Sequence, residues 1–103
     1  MRDAIFLLMF DLPVGSRLQR RNYARFRSGL NKLGYQRLQR SVYYKYASNV
    51  SSAAQERKNI REFTPHMGDV QFISMPIQTF CRMRSLTGKP FDFSLLASPI
   101  IEI

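Results

Sequence analysis

Seven consecutive apolar residues, Ala4-Ile5-Phe6-Leu7-Leu8-Met9-Phe10, run into Asp11-Leu12-Pro13 and constrain this chain more than any other stretch. A run of that length without polar alternation fits a central strand buried on both faces, and it is too short to span a membrane. Pro13 and Gly15 then turn the chain. Ser16 with Gln19 three residues on is a capping-box pattern, so a helix starts at Ser16 and runs to about Leu33, with Gly34 as its C-terminal stop. Tyr23, Phe26, Leu30 and Leu33, spaced 3, 4 and 3, give that helix one apolar face.

The rest of the chain follows the same grammar. Tyr35 to Tyr46 reads as strand-like with a bend or bulge near Arg40. Asn49 or Ser52 caps a second helix that lasts to about Phe63, where Thr64-Pro65 stops it. Gly68-Asp69 turns into a strand over Val70–Met75, Pro76 to Phe80 makes a short turn of helix, and Met83-Arg84-Ser85-Leu86 is expected as a short last strand before Gly88. The order strand–helix–strand–strand–helix–strand is that of a ferredoxin-like α+β sandwich, βαββαβ, here with an extra short C-terminal strand. Residues 1–88 would form the domain. Residues 89–103 are too apolar for a free tail and are expected to dock on a second protomer or another protein. A chain of 103 residues is one small domain, and such domains often gain core by pairing with a copy.

Charge narrows the partner. Between Asp11 and Glu56 there is no acidic residue, but there are nine basic ones: Arg17, Arg20, Arg21, Arg25, Arg27, Lys32, Arg37, Arg40 and Lys45. The net charge of +9 is best answered by a polyanion, nucleic acid first; an anionic membrane surface would suit the same charge. Arg17, Arg21 and Arg25 recur every fourth residue, roughly opposite the apolar helix face, with Lys32 in the same sector. Such like-charge neighbours cost an isolated helix roughly 0.2–0.5 kcal/mol per pair, a cost that a phosphate backbone would relieve. Arg20 and Arg27 flank the apolar face. The single cysteine, Cys81, excludes an intramolecular disulfide framework and reads as a small buried apolar group. With no span and no secretory core, the chain is expected in the cytoplasm.

Asp11 admits two readings. It can satisfy backbone N–H groups of the turn that follows, or it can be half of a divalent-cation site completed by a second copy across a two-fold axis. Tyr35, Tyr43, Tyr44 and Tyr46 likewise suit either core and dimer packing or base stacking. His66 sits in a surface Pro-His-Met-Gly turn.

Met9-Phe10-Asp11-Leu12-Pro13-Val14, then Arg20-Arg21-Asn22-Tyr23-Ala24-Arg25-Phe26-Arg27, Lys32-Leu33-Gly34-Tyr35 and Leu38-Gln39-Arg40-Ser41-Val42-Tyr43 closely resemble the CRISPR-associated protein 2 family, in its type II form. The likeness runs to about residue 88 and is most specific over the first 46 residues. It implies a ferredoxin-like homodimer that bridges the CRISPR-associated protein 1 integrase and holds double-stranded DNA during spacer acquisition. It also implies a Mg²⁺-dependent endonuclease acting on RNA or DNA, with Asp11 as metal ligand and catalytic residue facing its copy across the dimer. Phosphate contacts are expected from Arg17, Arg21 and Arg25, then from Arg20, Arg27, Lys32 and Arg37. A rival on the same fold is a toxin-type, metal-dependent endoribonuclease working without an integrase.

Overall fold

The structure, a computed structural model, describes residues 3–92. Strand β1, Ala4–Asp11, carries the long apolar run and is central in the sheet. Helix α1 covers Arg17–Lys32. Ser16 Oγ accepts the Gln19 N–H at 3.1 Å, and the Gln19 side chain accepts the Ser16 N–H at 3.1 Å, so the capping box forms in full. Gly34, at φ +94°, takes the left-handed conformation that ends the helix.

Strands β2, Gln36–Gln39, and β3, Val42–Ala47, form a hairpin, and the expected bend near Arg40 is its turn. A register shift between Arg37 and Gln39 adds the bulge. After a 3₁₀ turn at Val50–Ser52, opened by Asn49 accepting the Ser51 N–H, come helix α2, Ala53–Arg61, strand β4, Asp69–Pro76, and short helix α3, Ile77–Phe80. Strand order is β2-β3-β1-β4, with every neighbouring pair antiparallel. That is the split βαβ arrangement of a ferredoxin-like sheet.

Period-two alternation sorts β1 between two cores. Ala4, Phe6, Leu8 and Phe10 face the helices and pack with Phe26, Leu30, Ile60 and Tyr43. Phe10 meets Phe26 edge-on at 4.9 Å. On the opposite face Ile5 joins Tyr44 and Phe80, with Phe91 closing against both rings. Among the described residues this second face is covered at one end only. Leu7 is half-buried, and Met9 and Ile73 are 38% and 48% exposed, so β1 is sealed throughout on the helix side but not on the other.

Two expectations fail. Residues 83–86 form no strand, and the sheet has four strands among the described residues. Ser85 Oγ accepts the Thr87 and Lys89 N–H groups at 3.3 and 2.9 Å, and Arg84 donates to the Cys81 and Met83 carbonyls at 3.4 and 3.1 Å, so local side-chain bonds replace a ladder. Cys81 is exposed rather than buried, because it is the C-cap of α3 and its neighbour Phe80 takes the inward position. Of the C-terminal segment 89–103, residues 93–103 lie outside the described residues. Among the described residues no helix is long and apolar enough to cross a membrane.

Candidate functional site

Asp11 is exposed at the end of β1 and, by strand parity, on the sheet face opposite α1 and α2. Its main chain is tightly held. Gly68, at φ +97°, approaches so closely that a Cβ there would lie 2.7 Å from the Asp11 carbonyl oxygen. The turn beyond it is pinned by α1. Gln19 Oε1 accepts the Gly15 and Ser16 N–H groups at 2.9 and 3.1 Å, and the Arg20 guanidinium donates to the Val14 and Gly15 carbonyls at 3.1 and 3.4 Å. Gln19 therefore does the work that the turn reading gave to Asp11. Among the described residues, no hydrogen bond or ion pair engages the Asp11 carboxylate.

Strand register brings a second carboxylate to it. Asp11 and Asp69 are direct cross-strand partners of β1 and β4, both exposed. Side chains directly opposite in an antiparallel pair have Cβ atoms roughly 4.5–5.5 Å apart. Asp69 accepts one hydrogen bond, from Gln71 at 3.1 Å. Its neighbour Gly68 made it look like a turn residue, and only the β1–β4 register reveals the pairing.

The basic residues divide into four groups. Arg17, Arg21 and Lys32 are exposed on α1, and no ion pair involves them among the described residues. Arg25 shares a depression of about 220 Å³ with Glu62 and His66, so one acid does approach the arginine stripe. Arg20 is committed to the loop after Asp11. Arg27 and Arg37 instead converge, together with Arg40, on a cleft between α1 and the β2–β3 hairpin.

The tyrosines are packing residues. Tyr43 is buried on the helix side, while Tyr44 is buried on the other side and donates to Gln36 Oε1 at 2.9 Å. Tyr46 donates to Asp3 Oδ1 at 3.0 Å. Burial pushes the Tyr44 hydroxyl above its ordinary pKa. Desolvation and then Asp3 do the same to Tyr46. Tyr35 is pushed up furthest, by burial first and then by the nearby Glu56 carboxylate, although its hydroxyl makes no hydrogen bond of good geometry. Glu56 pairs with Lys45 at 2.9 Å, joining α2 to β3 beneath the helix layer.

Fold and site define a small split-βαβ protein with a carboxylate pair where central strand β1 meets edge strand β4, and a cationic helix beside it. Residues 4–83 match the family model of CRISPR associated protein Cas2, and the chain belongs to that family. Curated relatives agree. The chain is 37% identical to the CRISPR-associated endoribonuclease Cas2 of Campylobacter jejuni over 82 residues, 80% of this chain and 57% of that protein. It is 32% identical to the protein of the same name from Parvibaculum lavamentivorans and 35% identical to that from Ligilactobacillus salivarius. Each of these two alignments spans 81% of this chain and 82% of the relative.

Proposed function

We propose that this chain works as a homodimer in CRISPR adaptation, binding double-stranded nucleic acid through phosphate contacts and bridging the CRISPR-associated protein 1 integrase. A Mg²⁺-dependent endonuclease activity would reside at paired Asp11 carboxylates. One observation carries the reading: the unengaged Asp11 carboxylate borders the part of the sheet's second face, among the described residues, that leaves Met9 and Ile73 exposed. A copy packed there buries those side chains and brings its own Asp11 to the same place.

The donor set suits the ion. Mg²⁺ takes hard oxygen ligands, typically one or two carboxylates with water and substrate phosphate, and Asp11 with cross-strand Asp69 offers carboxylate oxygens only. When bound, the ion would polarise a phosphodiester and activate a water. The protein's own share is positioning. Gly68 and Gln19 hold the Asp11 segment, and Arg17, Arg21 and Arg25 with Lys32 offer charge to the phosphate backbone of a substrate.

The relatives' name, endoribonuclease, favours RNA as the cleaved strand. Replacing Asp11 with Ala separates scaffold from enzyme. Spacer acquisition that survives while divalent-cation-dependent cleavage disappears assigns the scaffold role. Loss of both makes the cleavage part of adaptation. Cleavage unchanged by the substitution would remove Asp11 from the site. Sedimentation of the purified chain as a monomer at micromolar concentration would overturn the dimer.

A further inference from the structure

Arg20 differs from the other arginines of α1 in what it holds. Its Nη1 donates to two successive main-chain carbonyls, Val14 at 3.1 Å and Gly15 at 3.4 Å, and its own N–H donates to the Ser16 carbonyl at 3.0 Å. One residue therefore grips three consecutive carbonyls of the segment that leads from Asp11 into α1. The side chains of Arg17, Arg21 and Arg25 make no such bond among the described residues.

That segment has little else to fix it. Leu12 is buried in the core and Ser16 caps the helix, but between them Val14 and Gly15 are exposed. With no core packing to place those two residues, hydrogen bonds decide their path. Gln19 accepts the Gly15 and Ser16 N–H groups, and Arg20 supplies donors to the carbonyls. A guanidinium suits the task, because its N–H donors sit in a rigid, always protonated fork. Its charge does not suit a neighbouring cation site, since like charges repel. Geometry and charge at Arg20 thus act on a divalent ion with opposite signs, and an experiment can tell which dominates.

We propose that Arg20 is a positioning residue for the Asp11 cation site and leaves phosphate contact to its neighbours on α1. By holding Val14 and Gly15 it fixes the chain just beyond Asp11, as Gly68 fixes the Asp11 carbonyl from the other side. The carboxylate is then presented in one place rather than many, which lowers the ordering cost of taking up an ion. The inference rests on the reading of Asp11 as a cation ligand. It reverses the expectation, drawn from the basic pattern alone, that Arg20 is one more phosphate contact.

The test is Mn²⁺ binding to the full chain without nucleic acid, followed by electron paramagnetic resonance of the free ion, with Mn²⁺ standing in for Mg²⁺. Arg20→Gln should weaken binding about threefold to tenfold, the effect of losing one modest hydrogen-bonded contact. Arg20→Lys should recover part of that loss, because an ammonium can still donate to one of the two carbonyls. Arg21→Gln removes the same charge one residue on without touching the loop, and it should not weaken the ion. Duplex binding in EDTA supplies the second readout. Its salt slope should be unchanged in Arg20→Gln and should fall by about 0.9 in Arg21→Gln. Mn²⁺ binding by Arg20→Gln as tight as wild type or tighter, equal weakening by Arg21→Gln, or a slope lowered by about 0.9 in Arg20→Gln overturns the proposal. Asp11→Ala separates this from the reading beneath it. Loss of Mn²⁺ binding there with no effect of Arg20→Gln overturns the positioning role alone, whereas undiminished binding by Asp11→Ala overturns both.

Discussion

Replacing Gly68 with Ala should damage this protein more than a single methyl group suggests. Gly68 sits at φ +97°, where a Cβ costs about 1–2 kcal/mol in backbone strain. The new Cβ would also lie 2.7 Å from the Asp11 carbonyl oxygen, 2.8 Å from Leu12 Cδ2 and 3.0 Å from Pro13 Cδ. The first contact is backbone and the third a proline ring, so neither can swing aside, and overpacking of this kind costs about 1–3 kcal/mol. Loss of unfolded-state freedom returns about 0.4–1 kcal/mol. The net is a destabilisation of about 1–5 kcal/mol, a large share of the roughly 5–15 kcal/mol that holds a domain together. Gly88 is the control, since it also has positive φ, +81°, but a Cβ there meets nothing within 4 Å. Gly88→Ala should therefore cost the strain alone. Urea unfolding followed by far-ultraviolet circular dichroism, at equal protein concentration, measures both. Equal losses for the two variants would refute the claim that Gly68 is packed against the Asp11 segment.

Four other outcomes follow from the same geometry. Asp69→Asn removes one of two opposed charges and should raise stability by about 0.2–1 kcal/mol in EDTA, while weakening any stabilisation by added Mg²⁺, read in the same urea titration. Lys45→Met leaves Glu56 buried without its partner and should cost about 1–3 kcal/mol, less than a fully buried pair because the Lys45 side chain is 28% exposed. Adding Glu56→Leu should recover most of that loss, and a double-mutant cycle measures it. Tyr35→Phe should flatten the alkaline limb of stability. A tyrosine held above its ordinary pKa of 10.0 gives its full contribution below that value, and loses it as pH rises through the folded value, so wild type should weaken more steeply above pH 10.0. Changing Arg17, Arg21 and Arg25 together to Ala should flatten the salt dependence of duplex binding by about 0.9 per lost phosphate contact, and an unchanged slope would place the duplex on another face.

What the sequence disclosed follows the range of the forces involved. The capping box at Ser16 and Gln19, the apolar spacing of α1 and the stop at Gly34 are local, and each is found where its pattern puts it. The order of elements was legible for the same reason, since turns and periodicities are written residue by residue. Asp69 was not, because its meaning comes from the register of β1 and β4, which pairs residues 11 and 69, far apart in the chain. Arg40 looked like one cation among nine until the hairpin turn set it beside Arg27 and Arg37. Residues 83–86 misled because a β-compatible stretch was overruled by the Ser85 hydroxyl, which offered nearby N–H groups a closer acceptor than another strand.

The ring cluster of Tyr44, Phe80 and Phe91 bears on selectivity as well as stability. By roofing one end of the sheet's second face with its own chain, the protein withdraws that end from outside contact. Among the described residues, what stays open is a short apolar strip around Met9 and Ile73 that runs directly into the Asp11–Asp69 pair. Any body that settles on the sheet must therefore do so next to the carboxylates, and a slide along the strands toward Ile5 is blocked by aromatic rings. The chain's own coverage thus acts as a stop that sets where a visitor comes to rest.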